Sequence, residues 1–359
     1  MNSAGPHQRP VLADVARLAE VSVPTVSRVL KGSPPVSQRK RDRVLAAVQE
    51  LGYRPNGAAR MLVTGRRTIV SVITSNTTRF GYATSIQGIE EAARTAGLLV
   101  AITVIDPGGE DEVAAAVDLV LGQPVAGVIV LDFDPQGTRA IEALPEGLPV
   151  AAVGSSDVGR EIPRALFDDR LGGRQATQYL LGLGHATVHH VSVPGSGRPS
   201  GRTLGWRSAL ESAGAVVPET LEADWTSQSG YEAGLVLART PGVTAVLCGN
   251  DEIAFGVIKA LQVSGLRIPQ DVSVVGFDDH PLAALWTPPL TTMGQDFVEL
   301  GRTALAFLVE QLDEGPGPQT SPSTIHLIER ESSGPPPARS VTGPARGARV
   351  GRRARPRPR

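Results

Sequence analysis

Residues 12–31 read LADVARLAEVSVPTVSRVLK, and their spacing predicts two short helices joined by a tight turn. Apolar residues at Val15, Ala16, Leu18, Ala19, Val21, Val26, Val29 and Leu30 recur at helical intervals and close a small core. Ser22 stands where an N-cap is wanted. Pro24 falls in the first turn of the second helix, where a missing N–H costs nothing. The polar face of that helix, with Thr25, Ser27 and Arg28, is short, positive and rich in hydroxyls, which suits a DNA major groove. Any small helical hairpin needs apolar spacing and a cap, so this stretch alone leaves DNA binding and plain packing both open.

Working outward, charge separates the chain into parts. Up to Arg67 there are 12 Lys and Arg against 4 Asp and Glu; from Thr68 to Ser333 the balance is 15 against 32; the last 26 residues carry 8 Arg and no acid. A basic head on an acidic body is the footprint of a nucleic-acid-binding module joined to one that avoids nucleic acid. The lone Cys248 excludes an internal disulfide framework and fits a reducing compartment, and its apolar setting, VTAVLC, predicts burial. The opening MNSAGPHQRP has no apolar signal region and no apolar run approaches a membrane span, so a cytoplasmic protein is expected.

After the hairpin, the cluster at 32–35 is a turn, and Ser37 is placed to cap a third helix in which Val44, Leu45, Val48 and Leu51 form a stripe that Gly52 stops. Pro55 and Asn56 open a further short helix, to about residue 63, with Ala58, Ala59 and Leu62 on one side. A helix this brief is marginal alone in water and needs a partner surface. From Arg67 onward, short branched-aliphatic runs alternate with amphipathic helices: IVSVIT, LLVAITVI, VAGVIVL and LPVAAVG, then ATVHHVSV, VTAVLC and VSVVGFD. Such alternation indicates parallel sheets covered on both faces, with ligands at the carboxyl ends of the strands.

The run DVARLAEVSVPTVSRVLKG, followed by VSQRKRDRVLAAVQELGYRPNGAARML, resembles the lac repressor–gal repressor family of bacterial regulators, in both the helix-turn-helix and the YRPN-x-x-A-R-x-L hinge. GLGH, RTLGWRSAL, GNDEIAFGVIKAL, PQDVSVVGFDD and PPLTTMGQDF extend the likeness to about Glu331. The resemblance implies an all-α helix-turn-helix head and an α/β two-lobed body like that of periplasmic sugar-binding proteins. One lobe would span roughly 68–167 plus a returning C-terminal segment, the other roughly 168–295. The domains are then 1–66, including the hinge helix, 67–333 for effector binding and dimerisation, and 334–359 as a disordered Pro- and Arg-rich tail.

The resemblance also assigns roles. Val23, Pro24 and Arg28 stand where the family reads base edges, with Arg28 suited to guanine O6 and N7. Ser22, Thr25, Ser27 and Ser37 correspond to phosphate anchors, Leu62 to the hinge leucine that wedges into the minor groove, and Ala59 to a small residue between two hinge helices. Val11 departs from a capping threonine, which removes one cap and one phosphate contact.

For the effector, Arg202 corresponds to the gripping arginine, Asp278 to its facing aspartate, Asn250 to a donor and acceptor in the GND turn, and Trp225 to a stacking aromatic. Gln295 and Phe297 lie at the crossover, while Ser75, Arg79, Phe80 and Tyr82 line the first-lobe mouth. The bland readings are core packing for Trp225, an acidic partner for Arg202 and helix caps for Asp278 and Asp251. Leu131 replaces a polar side chain that some sugar-responsive members carry, with Asp132 following it.

No Gly-rich phosphate loop, GxSxG or metal-ligand spacing supports an enzyme, and no metal or cofactor is implied. His189 and His190 alternate on a strand as packing or solvated groups. The reading is a homodimeric repressor released from a palindromic double-stranded DNA operator by a small molecule, carbohydrate first and nucleobase or sugar acid second. Corepression and activation stay open, and a solute-binding protein without DNA binding is the competing class. The tail lacks the leucine heptads of a tetramer, and its charge suits either sequence-independent DNA attraction or passive solubilisation.

Overall fold

The computed structural model describes residues 10–30, 36–53, 67–154, 160–194, 199–314 and 320–338. The hinge helix at 56–63, with Ala59 and Leu62, and the tail beyond 338 lie outside the described residues. The chain divides into two compact units, Met1–Thr68 and Ile69–Arg359.

The head holds α1 (Leu12–Leu18), α2 (Val23–Leu30) and α3 (Gln38–Glu50). Val15, Ala16, Ala19, Val26, Val29, Val44 and Ala47 meet in one buried cluster, closed by Tyr53. The turn after α1 passes through Glu20 at φ 48°, where the Val21 N–H returns to the Ala16 carbonyl at 3.0 Å. Arg43 of α3 staples this turn, donating to the carbonyl of Ala19 and, at 2.9 Å, to the Glu20 carboxylate. Val11 occupies the N-cap of α1 without a hydroxyl, and Asp14 compensates from inside the helix by accepting the Val11 N–H at 2.9 Å. Ser37 has the extended backbone of an N-cap, but its side chain makes no capping bond. The expected cap is therefore positional only.

The body is two α/β lobes. In the first, β1 (Ile69–Thr74), β2 (Leu99–Val104), β3 (Val125–Asp132), β4 (Val150–Gly154), β5 (Arg164–Phe167) and β11 (Thr320–Ser323) form one sheet in the order β11-β5-β4-β3-β1-β2. All its pairings are parallel. Every residue of β3 and β4 is buried, as strands covered on both faces require. Helices α4 (Phe80–Thr95), α5 (Glu110–Leu121), α6 (Pro135–Ala143) and α11 (Phe297–Glu314) cover it.

The second lobe orders its strands β12-β10-β9-β8-β6-β7, from β6 (His189–Ser192), β7 (Leu221–Glu222), β8 (Ala245–Cys248), β9 (Ser273–Asp278), β10 (Thr291–Gln295) and β12 (Ile325–Ile328). Its helices are α7 (Asp169–Gly182), α8 (Gly201–Ser212), α9 (Ser227–Leu237) and α10 (Asp251–Val263). β12 pairs antiparallel with β10, an edge exception to the expected parallel sheet.

The chain crosses between the lobes at 167–169, 295–297 and 323–325, so the returning segment supplies α11 and β11 to the first lobe and β12 to the second. The second lobe thus reaches beyond the span 168–295 expected for it. The body also runs past Ser333, because Gly334 donates to Ser273 Oγ at 3.0 Å and its carbonyl accepts from Ser273 at 2.9 Å, with His185 Nε2 also 2.9 Å away.

Capping residues sit in the loops that follow strands. Asp134 accepts the N–H groups of Gln136 and Gly137 with Pro135 at the first helical position, Asp168 accepts Leu171 N–H at 2.8 Å, and Thr226 accepts Ser229 N–H at 3.2 Å. Helices α7 and α8 approach unusually closely. A Cβ on Gly173 would lie 2.2 Å from the Arg202 carbonyl oxygen, and one on Gly205 would lie 2.1 Å from that of Arg170. This contact seats Arg202, in the first turn of α8, deep in the lobe.

Candidate functional site

Arg202 is buried and extends toward the carboxyl ends of β8, β9 and β10. Its Nη2 lies 3.0 Å from Asp278 Oδ1 and donates to Gln295 Oε1 at 3.3 Å; its Nε lies 3.3 Å from Asp169 Oδ1; its Nη1 donates to the Gly249 carbonyl. Gln295 Nε2 closes the ring by donating to Asp169 Oδ1 at 3.1 Å. The guanidinium carbon stands 4.0 Å above the Phe277 ring. Burial alone would lower the Arg202 pKa, but the charges of Asp169 and Asp278 outweigh it and hold it above its usual value.

Asp278 is pushed the other way. Burial raises its carboxyl to about 7 against the opposing pull of Arg202. Both Arg202 Nε and Asp278 Oδ1 are buried without an aligned hydrogen-bond partner, although each lies within ion-pair distance of an opposite charge. Asp278 Oδ1 is thus held by the charge of Arg202 at 3.0 Å rather than by an aligned donor.

The expected residues divide. Arg202, Asp278 and Gln295 come together, and Asp169 joins them although it was not singled out from sequence. Its signal was an aspartate pair directly after β5, at the same strand-end position as the others. Asn250 has both polar atoms engaged in the fold, Oδ1 capping α10 through Ile253 N–H at 2.8 Å and Nδ2 donating to the Trp225 carbonyl at 3.3 Å.

Asp251, expected as the cap, instead sinks below it. It accepts His280 N–H at 2.7 Å and the Thr292 hydroxyl at 2.6 Å, and burial raises its pKa. Trp225 is half-buried against the second-lobe core, with φ 75°.

On the first lobe, the hydroxyls of Ser75 and Tyr82 both donate to Asp134 Oδ2, Tyr82 at 2.6 Å, and burial followed by that carboxylate raises the phenol's pKa. Asp134 was not anticipated, because its side chain is recognisable as a cap only once the β3–α6 junction is known. Asp132, by contrast, is a core residue paired with Arg164 at 2.7 Å. Phe297 is buried inside the first lobe, edge-on to Phe167 at 5.1 Å and Phe133 at 6.0 Å. Its ring also lies 5.9 Å from that of Phe80, and it lines a cavity at the lobe crossover together with Phe80, Asp279 and Gln295.

Phe80 reaches across the cleft, its ring 4.9 Å from His280 of the second lobe. Arg79 also faces that lobe. Asp224 lies below the usual carboxylate range chiefly through Ser229 and Thr226, with a smaller contribution from Arg79.

His190 is wholly buried, and burial lowers its pKa to about 4; Nδ1 lies 2.9 Å from the Leu247 carbonyl and Nε2 lies 3.1 Å from Thr203 Oγ1. Cys248 is buried, which raises its thiol pKa. Among the described residues no cluster of three or more His, Cys, Asp or Glu is placed to hold a metal ion, and no helix is long and apolar enough to cross a membrane.

In the head, Val23, Pro24 and Arg28 project from α2 with exposed side chains, Ser22 is exposed beside them, and Thr25 and Ser27 are half-buried. The Ser22 and Thr25 hydroxyls lie 2.9 Å apart. These exposed residues share the end and face of α2 that its buried residues, Val26 and Val29, leave free.

A basic helix-turn-helix head followed by a two-lobed body with a charged interlobe site defines a ligand-responsive DNA-binding regulator. Two family models match: the lacI family of bacterial regulatory proteins over residues 11–56 and the periplasmic binding protein-like domain over 177–333. The lactose operon repressor of Escherichia coli K12 is 33% identical over 328 residues, covering 90% of each chain. The HTH-type transcriptional regulator CelR of Thermobifida fusca is 35% identical over 346 residues, covering 90% of this chain and 98% of the relative.

Among solved structures, the lac repressor dimer bound to operator and the anti-inducer ONPF superposes with a TM-score of 0.84 at 31% identity, over 91% of this chain and 100% of that one. The CelR–cellobiose complex superposes at 0.67 and 32% identity, over 90% and 100%. The chain belongs to the lacI family of bacterial regulatory proteins. It is a DNA-binding transcriptional regulator and not an enzyme.

Proposed function

We propose that this protein is a homodimeric repressor, acting in the cytoplasm, that a small polyhydroxylated molecule, a carbohydrate first, releases from a near-palindromic operator. The observation that carries the reading is the Arg202–Asp278–Gln295 cluster at the carboxyl ends of the second-lobe strands, since a fork of donors beside a carboxylate matches vicinal hydroxyls. Relatives named for lactose and ribose operons, and a relative solved with cellobiose, support the sugar class.

Arg202, Asp278 and Gln295 would hold the ligand from the second lobe, with Arg79 and Phe80 closing from the first and Trp225 at the rim. In the head, Val23, Pro24 and Arg28 would read base edges, while Ser22, Thr25, Ser27 and Ser37 anchor phosphates. Ligand closes the lobes and shifts the dimer between two arrangements, only one of which lets the hinge segments fold around Leu62 and its mate.

The test is binding of the purified protein to fragments of its own upstream region, with and without a panel of mono- and disaccharides. Tight binding to a near-palindrome, weakened by one sugar, is the expected result. Binding that appears only with a compound would reverse the sign to corepression. Leu62→Ala is expected to abolish tight operator binding and spare sugar binding; unchanged operator affinity would sink the hinge mechanism.

A further inference from the structure

The turn that ends β9 places two consecutive non-glycine residues in the left-handed region, Asp278 at φ 103° and Asp279 at φ 53°. Such a pair persists only where its surroundings over-determine the backbone. Two constraints come from within the lobe: Asp251 accepts the His280 N–H at 2.7 Å, and Thr292 Oγ1 accepts the Asp279 N–H at 3.5 Å.

The third comes from the segment after β12. Arg330 donates through Nη2 to Asp279 Oδ1 at 2.7 Å and through Nη1 to the Leu290 carbonyl at 2.8 Å. The segment carrying it is itself fastened, by Arg330 N–H to Thr291 Oγ1 at 2.9 Å and Ser332 Oγ to the Val274 carbonyl at 2.6 Å.

We propose that Arg330 is a positioning residue of the effector site: by clamping Asp279 to the start of β10, it holds the neighbouring Asp278 carboxylate against Arg202. The inference rests on the reading of Arg202 and Asp278 as the effector pair. A solvated ion pair contributes little, but this contact is of another kind. The Arg330 and Asp279 side chains are 18% and 33% exposed, and the guanidinium spans two acceptors on different strand ends. The Arg267–Asp271 pair, with Arg267 70% exposed and its partner four residues away, is the solvated kind and serves as the control. Asp278 Oδ1 has no aligned donor of its own, so the backbone and the facing guanidinium alone set its place, and rotation at Asp279 would displace it.

The test uses the full-length protein with Arg330→Ala, Arg330→Lys and Arg267→Ala. Two quantities are read: the Asp278 carboxyl titration by carbon-13 NMR, assigned with Asp278→Asn, and the affinity for the sugar panel by calorimetry. In Arg330→Ala the Asp278 midpoint is expected to fall from about 7 toward the ordinary carboxyl range as burial is relieved. Sugar affinity should drop by about tenfold or more while operator affinity without sugar stays within about twofold. Arg330→Lys should recover part of both effects, and Arg267→Ala should move neither. An unmoved Asp278 titration in folded Arg330→Ala, or a moved titration with unchanged sugar affinity, would overturn the proposal. If no sugar binds the unaltered protein, the carbohydrate reading fails by itself, and the titration alone decides the clamp.

Discussion

Asp278 sets the pH behaviour expected of the cleft. Its carboxyl sits at about 7 because burial outweighs the attraction of Arg202, so near neutrality the empty site holds a mixture of acid and carboxylate. Ligand hydroxyls that donate to Asp278 favour the carboxylate, so binding lowers this pKa and expels a proton. Sugar affinity is therefore expected to rise between about pH 6 and pH 8, with proton release at pH 7 measurable by calorimetry in buffers of different ionisation enthalpy. Asp278→Asn should abolish both.

The same pair yields a stability prediction. Arg202→Met leaves Asp169 and Asp278 buried without their shared cation, which should cost about 3–5 kcal/mol in urea unfolding at pH 8. The loss should shrink at pH 6, where Asp278 takes up a proton instead. An equal loss at both pH values would mean that Asp278 does not titrate in this range.

What holds Arg202 in place is the fit of α7 against α8. Backbone oxygens lie where Cβ atoms on Gly173 and Gly205 would stand. Gly205→Ala should therefore force the helices apart, lowering stability by about 1–3 kcal/mol and weakening sugar binding, since Arg202 lies one turn earlier on α8. Thermal unfolding and calorimetry check the two effects, and a stable variant with unaltered sugar affinity would refute the coupling. In the head, Arg28→Ala should cost about 1–3 kcal/mol of discrimination at one base pair, checked by binding to operators varied at that position.

Elements such as β1, β3 and β4 were legible in the sequence because strands buried on both faces must be continuously apolar. β11 and β12 were not, being four residues each with no such run. The effector cluster was legible where a motif fixed its members, as at Arg202 and Asp278. Asp169, Asp134 and Arg330 were not, because their partners lie 33 to 126 positions away and only the sheet topology brings them close. Asn250 occupies a family position, yet a helix cap and the Trp225 carbonyl account for its contacts.

At the scale of the whole molecule, the head and the interlobe cleft belong to separate compact units, so any influence of sugar on DNA binding is a coupling between two sites through one equilibrium. Such a coupling is reciprocal. If a sugar weakens operator affinity by a given factor, saturating operator must weaken affinity for that sugar by the same factor, within a range of about five- to 150-fold. The check is sugar titration of the protein alone, with its operator, and with a scrambled duplex of equal length, at one salt concentration because phosphate contacts are salt-dependent. Equal factors in the two directions, absent with the scrambled duplex, are expected of a two-state dimer. A sugar that lowers operator affinity while saturating operator leaves its affinity for the Arg202 site untouched would show that the effect on DNA does not pass through that site, and the Arg202→Met variant would then retain the response.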